Sequence, residues 1–355
     1  MNQEWQAAYD AIKAAKHVVV IQADNPDSDS VGSALALEGL LLDMGTERVT
    51  LYCGMMIPRY LRYFHGWDRI SDTLPSDFDL WIMVDNSSLQ LVGHAMDDPV
   101  YAATLKKKPA VVFDHHPTIR EETSVKSLGD RVIYLNHPEY IATSELLFHW
   151  ATALKLQIST ETATHMGGAI LGDSLGLMSS GTKPSSVRAI ADLMDLGYNI
   201  SEQDDERHEF DKKSPAILAY KAKLIERISY HLDNQLAMIH IPWEEIEKYS
   251  DEYNPSALII SEMRMVKGVR VAISIKSYLG GVYTGKLRAS NDSNFLDKIA
   301  SHFGGGGHGY AAGFKIKTDK GLEEVEREII GVVEECMKAY DTEKRRGDDE
   351  QQDVS

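Results

Sequence analysis

From Trp5 to Lys16 the apolar residues fall at helical spacing, and His17-Val-Val-Val-Ile21 then makes an unbroken β-branched run, the pattern of a strand buried on both faces. Gly32 to Met44 repeats the helical spacing and closes on Gly45, and Val49 to Cys53 predicts the next strand, completing a strand–helix–strand unit. Leu80-Trp-Ile-Met-Val84 and Ala110-Val-Val-Phe113 predict two more buried strands, each followed at once by acidic or imidazole side chains. Helical spacing returns over Thr143–Leu154, Ser159–Ser174 and Lys183–Leu196, with Gly197 as a stop. Strands alternating with helices predict an α/β fold on a parallel sheet, whose ligands bind at the carboxyl ends of the strands.

A polar stretch from Asn199 to Lys213 and a helical run from Pro215 to Tyr230 predict a connection between domains. Beyond it, Gln235–Ile241, Ala257–Val266, Arg270–Ser277 and Thr284–Ala289 predict strands, ending in a glycine-rich loop and Ala311-Ala-Gly-Phe314. The resulting division is a parallel-sheet domain over 1–198, a linker and helix over 199–230, a smaller α+β domain over 231–340 and a disordered acidic tail over 341–355.

The size of the chain, 355 residues, agrees with two cores, and its 43% hydrophobic and 26% charged residues are those of an ordinary globular protein. Its 37 basic and 54 acidic residues leave a net charge of −17, which argues against coating long duplex nucleic acid or an anionic membrane. The basic clusters Lys106-Lys-Lys108 and Lys344-Arg-Arg346 stand apart from one another and read as solvated surface. Cys53 and Cys336 are too few for a disulfide framework and fit a reducing compartment. The charged N-terminal helix is no signal peptide, and no stretch approaches the ~20 apolar residues that span a bilayer, so a soluble cytoplasmic protein is expected.

The chemistry gathers where the apolar runs break. Three carboxylates stand within six residues in Asp24-Asn-Pro-Asp27-Ser-Asp29, between a strand and a helix. Alone, such a cluster is a capping turn; three crowded carboxylates also repel one another unless a cation joins them. Asp85 follows the second buried strand, Asp114-His115-His116 the third, and Asp173 interrupts Ala169-Ile-Leu-Gly-Asp-Ser-Leu-Gly176. Carboxylates with imidazole suit manganese or a similar divalent ion, whereas structural zinc prefers thiolates. Two such ions, held roughly 3.5–4 Å apart, activate water for phosphoryl hydrolysis, with His116 or a metal-bound water serving the leaving oxygen. In the second domain Gly304 to Gly313 would be a linker on glycine content alone. His308 within it, and Arg288 upstream, predict instead a phosphate-binding loop in which Gly305, Gly306 and Gly307 let backbone amides approach the ligand.

In this order, NPDSD, VD, DHH and GDS, followed in a separate domain by GGGGHGYAAG, resemble the motifs of the DHH phosphoesterase superfamily in its branch with a DHHA1 domain. Within that branch they look most like the stand-alone bacterial nanoRNases, over roughly residues 15 to 335. The resemblance implies an active-site cleft between the domains and two divalent ions, most often manganese, with magnesium as the alternative. It implies that Asp27 binds the first ion and Asp29 the second, that Asp85 bridges them, and that His115 and Asp173 complete the ligand set of the second ion. It further implies that His116 contacts the scissile phosphate while Arg288, His308 and Gly305–Gly307 hold the far end of the nucleotide. The implied activity is trimming of very short RNA to mononucleotides, with dephosphorylation of 3′-phosphoadenosine 5′-phosphate, by a homodimer that has no membrane partner and no long duplex substrate.

One position departs from the family pattern. The first motif usually begins with a metal-binding histidine four residues before the position of Asp27, and Ala23 stands there. A methyl group binds no metal, so Asp24 is the expected substitute ligand, with Gln22 behind it. Hydrolysis of cyclic or linear dinucleotides is the alternative within the superfamily, and a nucleotide- or RNA-binding protein without catalysis is the alternative that Ala23 suggests. A pyrophosphatase of the superfamily would lack the GGGH loop.

Overall fold

A computed structural model of the chain describes residues 2–116, 124–179, 181–250, 252–290 and 293–352, without the side chains of 308 and 347–352. The chain forms two compact units, 1–212 and 213–355. No helix among the described residues is long and apolar enough to cross a membrane.

The first unit runs α1 (Gln3–Ala14), β1 (His17–Ile21), α2 (Ser28–Asp43), β2 (Arg48–Tyr52), β3 (Ile70–Ser71), β4 (Leu80–Val84), α3 (Gly93–Asp97), α4 (Pro99–Lys107), β5 (Ala110–Asp114) and β6 (Val132–Asn136). It closes with α5 (Thr143–Ala153), α6 (Thr160–Asp173), α7 (Pro184–Asp195) and α8 (Ile200–Asp211). Its sheet has six strands in the order β3-β2-β1-β4-β5-β6, all parallel. The β-branched and apolar runs of β1, β4 and β5 are buried at every position because helices cover both faces, as a parallel sheet requires. The order places the topological switch point between β1 and β4, where the connections leave in opposite directions and open a crevice at the strand ends. Val132–Asn136, not predicted from the sequence, is the edge strand on the far side. The polar stretch expected to link the domains is in part α8, held to the first unit where Gln203 donates to the Thr164 carbonyl at 3.2 Å.

The second unit runs α9 (Pro215–Glu226), β7 (Ser229–His231), β8 (Leu236–Ile241), α10 (Trp243–Tyr249), α11 (Pro255–Arg264), β9 (Val271–Tyr278), β10 (Val282–Ala289), α12 (Leu296–His302), β11 (Gly306–His308), β12 (Ala311–Lys317) and α13 (Leu322–Gln352). Its mixed sheet has the order β11-β12-β10-β9-β8-β7, antiparallel except for the parallel pair β8–β9. One apolar cluster gathers residues of α12 and α13, the other residues of α9 and α11, each with strand residues of this sheet.

Three sequence expectations change here. Ala257–Val266 is not a strand. The residues form α11, capped where the Asn254 side chain accepts the Ser256 N–H, with Pro255 in the first turn and Leu258, Ile259 and Met263 buried. The tail expected to be disordered from 341 continues α13 to Gln352, and Asp341 accepts two hydrogen bonds from Arg270 at 2.7 and 2.9 Å. The glycine-rich segment is not wholly a loop: Gly306–His308 pairs antiparallel with β12 as the sheet's edge strand.

Candidate active site

Asp27 is the N-cap of α2, and its Oδ1 accepts the N–H groups of Asp29 and Ser30, both at 3.0 Å. Asp29, in the first turn of that helix, is fully buried. Its carboxylate accepts the Thr143 and Ser144 N–H groups at 2.6 and 3.1 Å and the Ser144 and Ser33 hydroxyls at 2.7 and 3.0 Å. The N-terminus of α5 is thus aimed at this acid, a fixed partial positive charge against a buried negative one. Asp85 follows β4 with φ +56°, a left-handed conformation that Asp tolerates better than most residues, and its side chain accepts from Ser30 Oγ at 2.7 Å. Asp173 ends α6. Two glycines bring α6 against α2: a Cβ on Gly32 would stand 2.6 Å from Ala169 Cβ, and one on Gly172 would stand 2.1 Å from Ser28 Oγ.

These elements converge on His115. Its Nε2 lies 3.4 Å from Asp85 Oδ1, 3.6 Å from Asp173 Oδ2 and 3.8 Å from Asp29 Oδ2. Ligating atoms of Asp29, His115 and Asp173 lie within 4.8 Å of one another, and so do those of Asp85, His115 and His116. Burial, followed by the charges of Asp29 and Asp27, raises the Asp85 carboxyl well above its usual range. Burial and the Asp29 charge push Asp173 up to about 7. At His115 burial opposes the charge, but the hydrogen bond to Asp85 and the three acids prevail and lift the imidazole to about 10. A cluster that binds protons this firmly attracts any cation, and its oxygen and imidazole donors fit a divalent ion such as manganese or magnesium. A thiolate is not on offer from Cys53, whose thiol burial raises to about 11 and which donates to the Ala23 carbonyl.

His116 is held differently. Its Nδ1 pairs with Asp114 Oδ1 at 2.8 Å, and that hydrogen bond is the main reason the imidazole rises to about 9. Asp114 is fully buried and also accepts from Ser87 Oγ at 2.6 Å, and Ser87 in turn accepts from the Tyr134 hydroxyl at 2.8 Å. The chain Tyr134–Ser87–Asp114 therefore fixes the ring of His116 and leaves its Nε2 outside that pairing. Sequence reasoning placed Asp114 in the motif but gave it no role, and passed over Ser87, Ser30, Thr143 and Ser144. The helix start at Thr143 was legible; that its amides face an acid 114 positions earlier was not.

The structure brings together Asp29, Asp85, His115, His116 and Asp173. Asp27 is exposed and outside both ligating groups, although its charge reaches Asp85 and Asp173. Asp24 turns to His94, accepting its backbone N–H at 2.9 Å and pairing with Nδ1 at 3.0 Å, and likewise stands outside those groups. Gln22 is fully buried, with neither amide atom bonded to protein among the described residues. In the second unit Arg288 is half-buried on β10, its Nη1 donating to the Leu287 carbonyl at 2.8 Å. Gly305 and Gly307 are packed where a Cβ would strike backbone, at 2.2 Å from the Gly313 carbonyl and 2.6 Å from the Ala311 carbonyl, while Gly306 faces open space. The His308 side chain lies outside the described residues.

Buried acids and paired histidines stand at the switch point of a six-stranded parallel sheet, and residues 17–182 match the family described as DHH family, N-terminal domain. The first unit thus carries a DHH-family domain over those residues. The chain is 25% identical over 337 residues to the bifunctional oligoribonuclease and PAP phosphatase NrnA of Thermus thermophilus, covering 93% of this chain and 94% of that protein. It is 24% identical over 330 residues to the A-adding tRNA nucleotidyltransferase of Aquifex aeolicus, covering 91% of this chain but 35% of that longer protein. An exopolyphosphatase-related protein from Bacteroides fragilis shares the fold with a TM-score of 0.79 and 21% identity, over 95% of this chain and 96% of that one.

Proposed function

We propose that the chain is a divalent-cation-dependent exonuclease that degrades very short RNA to mononucleotides and also dephosphorylates 3′-phosphoadenosine 5′-phosphate. The observation that carries the reading is the convergence of Asp29, Asp85 and Asp173 on one imidazole nitrogen at the switch point. The near full-length likeness to an oligoribonuclease and PAP phosphatase supports the choice of substrate.

Asp29, Asp85, His115 and Asp173 would hold two ions, manganese by preference, with Asp27 a further ligand at the open end of the cluster. When bound, such ions neutralise phosphate charge and make water acidic enough to supply hydroxide near neutral pH. Ser30 and Thr143 keep the Asp85 carboxylate oriented, and the α5 amides do the same for Asp29. His116, its ring set by Asp114, offers a proton from Nε2 to the departing ribose oxygen. Arg288 and the Gly305–Gly307 backbone bind a terminal phosphate.

The test is product analysis. Triadenylate, linear diadenylate, a cyclic dinucleotide and 3′-phosphoadenosine 5′-phosphate are each incubated with enzyme and manganese, and the products are separated by chromatography. The expected result is AMP from triadenylate, diadenylate and the bisphosphate, with His115→Ala inactive on all. Turnover of the cyclic dinucleotide alone would replace this reading, and a folded enzyme that cleaves none of the four would overturn it.

A further inference from the structure

Along β10 the side chains of Thr284, Lys286 and Arg288 fall on one face, each about 6.6 Å from the next. On β9, Lys276 stands opposite Thr284 and Ser274 opposite Lys286. On β12, Gly313 stands opposite Lys286 and Ala311 opposite Arg288. Lys276 is therefore the diagonal neighbour of Lys286 on the same face, while the β12 side beside Lys286 and Arg288 has almost no side-chain bulk. Arg264, in the last turn of α11, adds its charge at Arg288.

Among the described residues, no lysine or arginine ion pair includes Arg264, Lys276, Lys286 or Arg288. Lys276 Nζ instead donates to Asn254 Oδ1 at 2.9 Å. Burial first, and then the neighbouring cations, lower Lys276, Lys286 and Arg288 from their ordinary values. In a chain of net charge −17, cations crowded on a half-buried face, with no ion pair among the described residues, are a local reversal of the field that a bound anion relieves. A lone phosphate would call for cations converging on a point. Here Lys286 and Arg288 follow one another along β10 and Lys276 stands at the diagonal on β9, a spacing comparable to that between the phosphates of an extended nucleotide strand. Tyr310, exposed and within electrostatic reach of Arg288, adds an aromatic face that a base can use and an acidic peptide cannot.

We propose that Lys276, Lys286 and Arg288 form a cationic track that binds successive phosphates of a single-stranded oligonucleotide, so that the second unit senses substrate length beyond its grip on a terminal phosphate. The proposal rests on the short-RNA reading above and names the part of the substrate that Arg288 alone does not explain.

Anisotropy of fluorescein-labelled, phosphorothioate-linked pentaadenylate, measured with the full chain and manganese across a salt series, tests the track. The double variant Lys276→Gln, Lys286→Gln is compared with wild type and with Lys106→Gln, a charge removed elsewhere. The expected result is a several-fold loss of pentaadenylate affinity in the double variant, with the slope of log affinity against log salt reduced by roughly 0.7 per lysine. Affinity for 3′-phosphoadenosine 5′-phosphate stays within about twofold of wild type, and Lys106→Gln matches wild type in both. Unchanged pentaadenylate affinity and slope, no pentaadenylate binding by wild type, or equal competition by pentaglutamate would each overturn the track. If wild type hydrolyses triadenylate while the double variant binds pentaadenylate normally, the track fails and the hydrolase reading stands. If the double variant loses binding while wild type cleaves no phosphodiester, the track stands and the hydrolase reading fails.

Discussion

Asp85 is a buried carboxyl group in a left-handed conformation, facing the Asp29 and Asp27 charges, with the imidazoles of His115 and His116 only partly offsetting them. Such a residue weakens the fold unless a cation joins it. Asp85→Asn keeps an oxygen to accept from Ser30 and removes the repulsion, so the metal-free variant is expected to gain about 1 kcal/mol, or ~2–4 °C in Tm, in a thermal melt. The same melt should show that manganese raises the Tm of wild type but not of the variant; a variant that melts lower than wild type without metal would refute this account of Asp85. The pH dependence follows from the neighbours. His115, lifted from 6.5 to about 10, binds a proton more tightly in the folded state, so its contribution is fully present below about 6.5 and is lost as pH rises through about 10. Asp173, lifted to about 7, likewise binds its proton more tightly when folded, and its ionisation removes stability as pH rises from about 4 to about 7. The metal-free Tm should therefore fall from pH 7 to pH 9.5, and the increase produced by manganese should grow over the same interval because the ion competes with fewer protons. A manganese effect that shrinks with rising pH would contradict that assignment.

At the scale of elements, the site depends on how closely α2 and α6 approach, since one carries Asp29 and the other Asp173. Gly32 has no room for a methyl group: besides Ala169, the His165 carbonyl would stand 2.8 Å from its Cβ. Gly32→Ala should cost about 1–3 kcal/mol, read as a lower denaturation midpoint, and should weaken manganese binding as the two acids are wedged apart. An alanine variant with wild-type stability and affinity would show that the helix contact does not set the site. The strands that position the chemistry were legible because a parallel sheet buried on both faces demands continuous apolar runs, as in Val18–Ile21 and Leu80–Val84. Leu258-Ile259-Ile260 misled for the same reason: the run is β-branched and apolar, yet Asn254 and Pro255 start a helix whose apolar face it supplies. The short edge strand Gly306–His308 was illegible because its pairing with β12 is backbone alone, and glycine carries no strand signal.

At the scale of the whole molecule, charge divides the labour. A surface of net charge −17 repels long polyanions, and the reading proposed above gives the acids of the first unit to cations and the row of cations on β9 and β10 to phosphate. The order of acid and histidine motifs along the chain was enough to expect a metal site. Which groups share it came only from the family resemblance and not from any local pattern, because it depends on contacts between residues as distant as Asp29 and Asp173. Asp24, the expected substitute for the missing imidazole, is engaged with His94, a partner 70 positions away that no local pattern links to it. The central claim is that separate strand and helix ends build one cation-binding cluster, and calorimetric titration of the full chain with manganese tests it most directly. Uptake of two ions by wild type, with affinity lost in both Asp85→Asn and His115→Ala while each variant stays folded, is the predicted result. No saturable uptake, or uptake that either variant leaves unchanged, would contradict it.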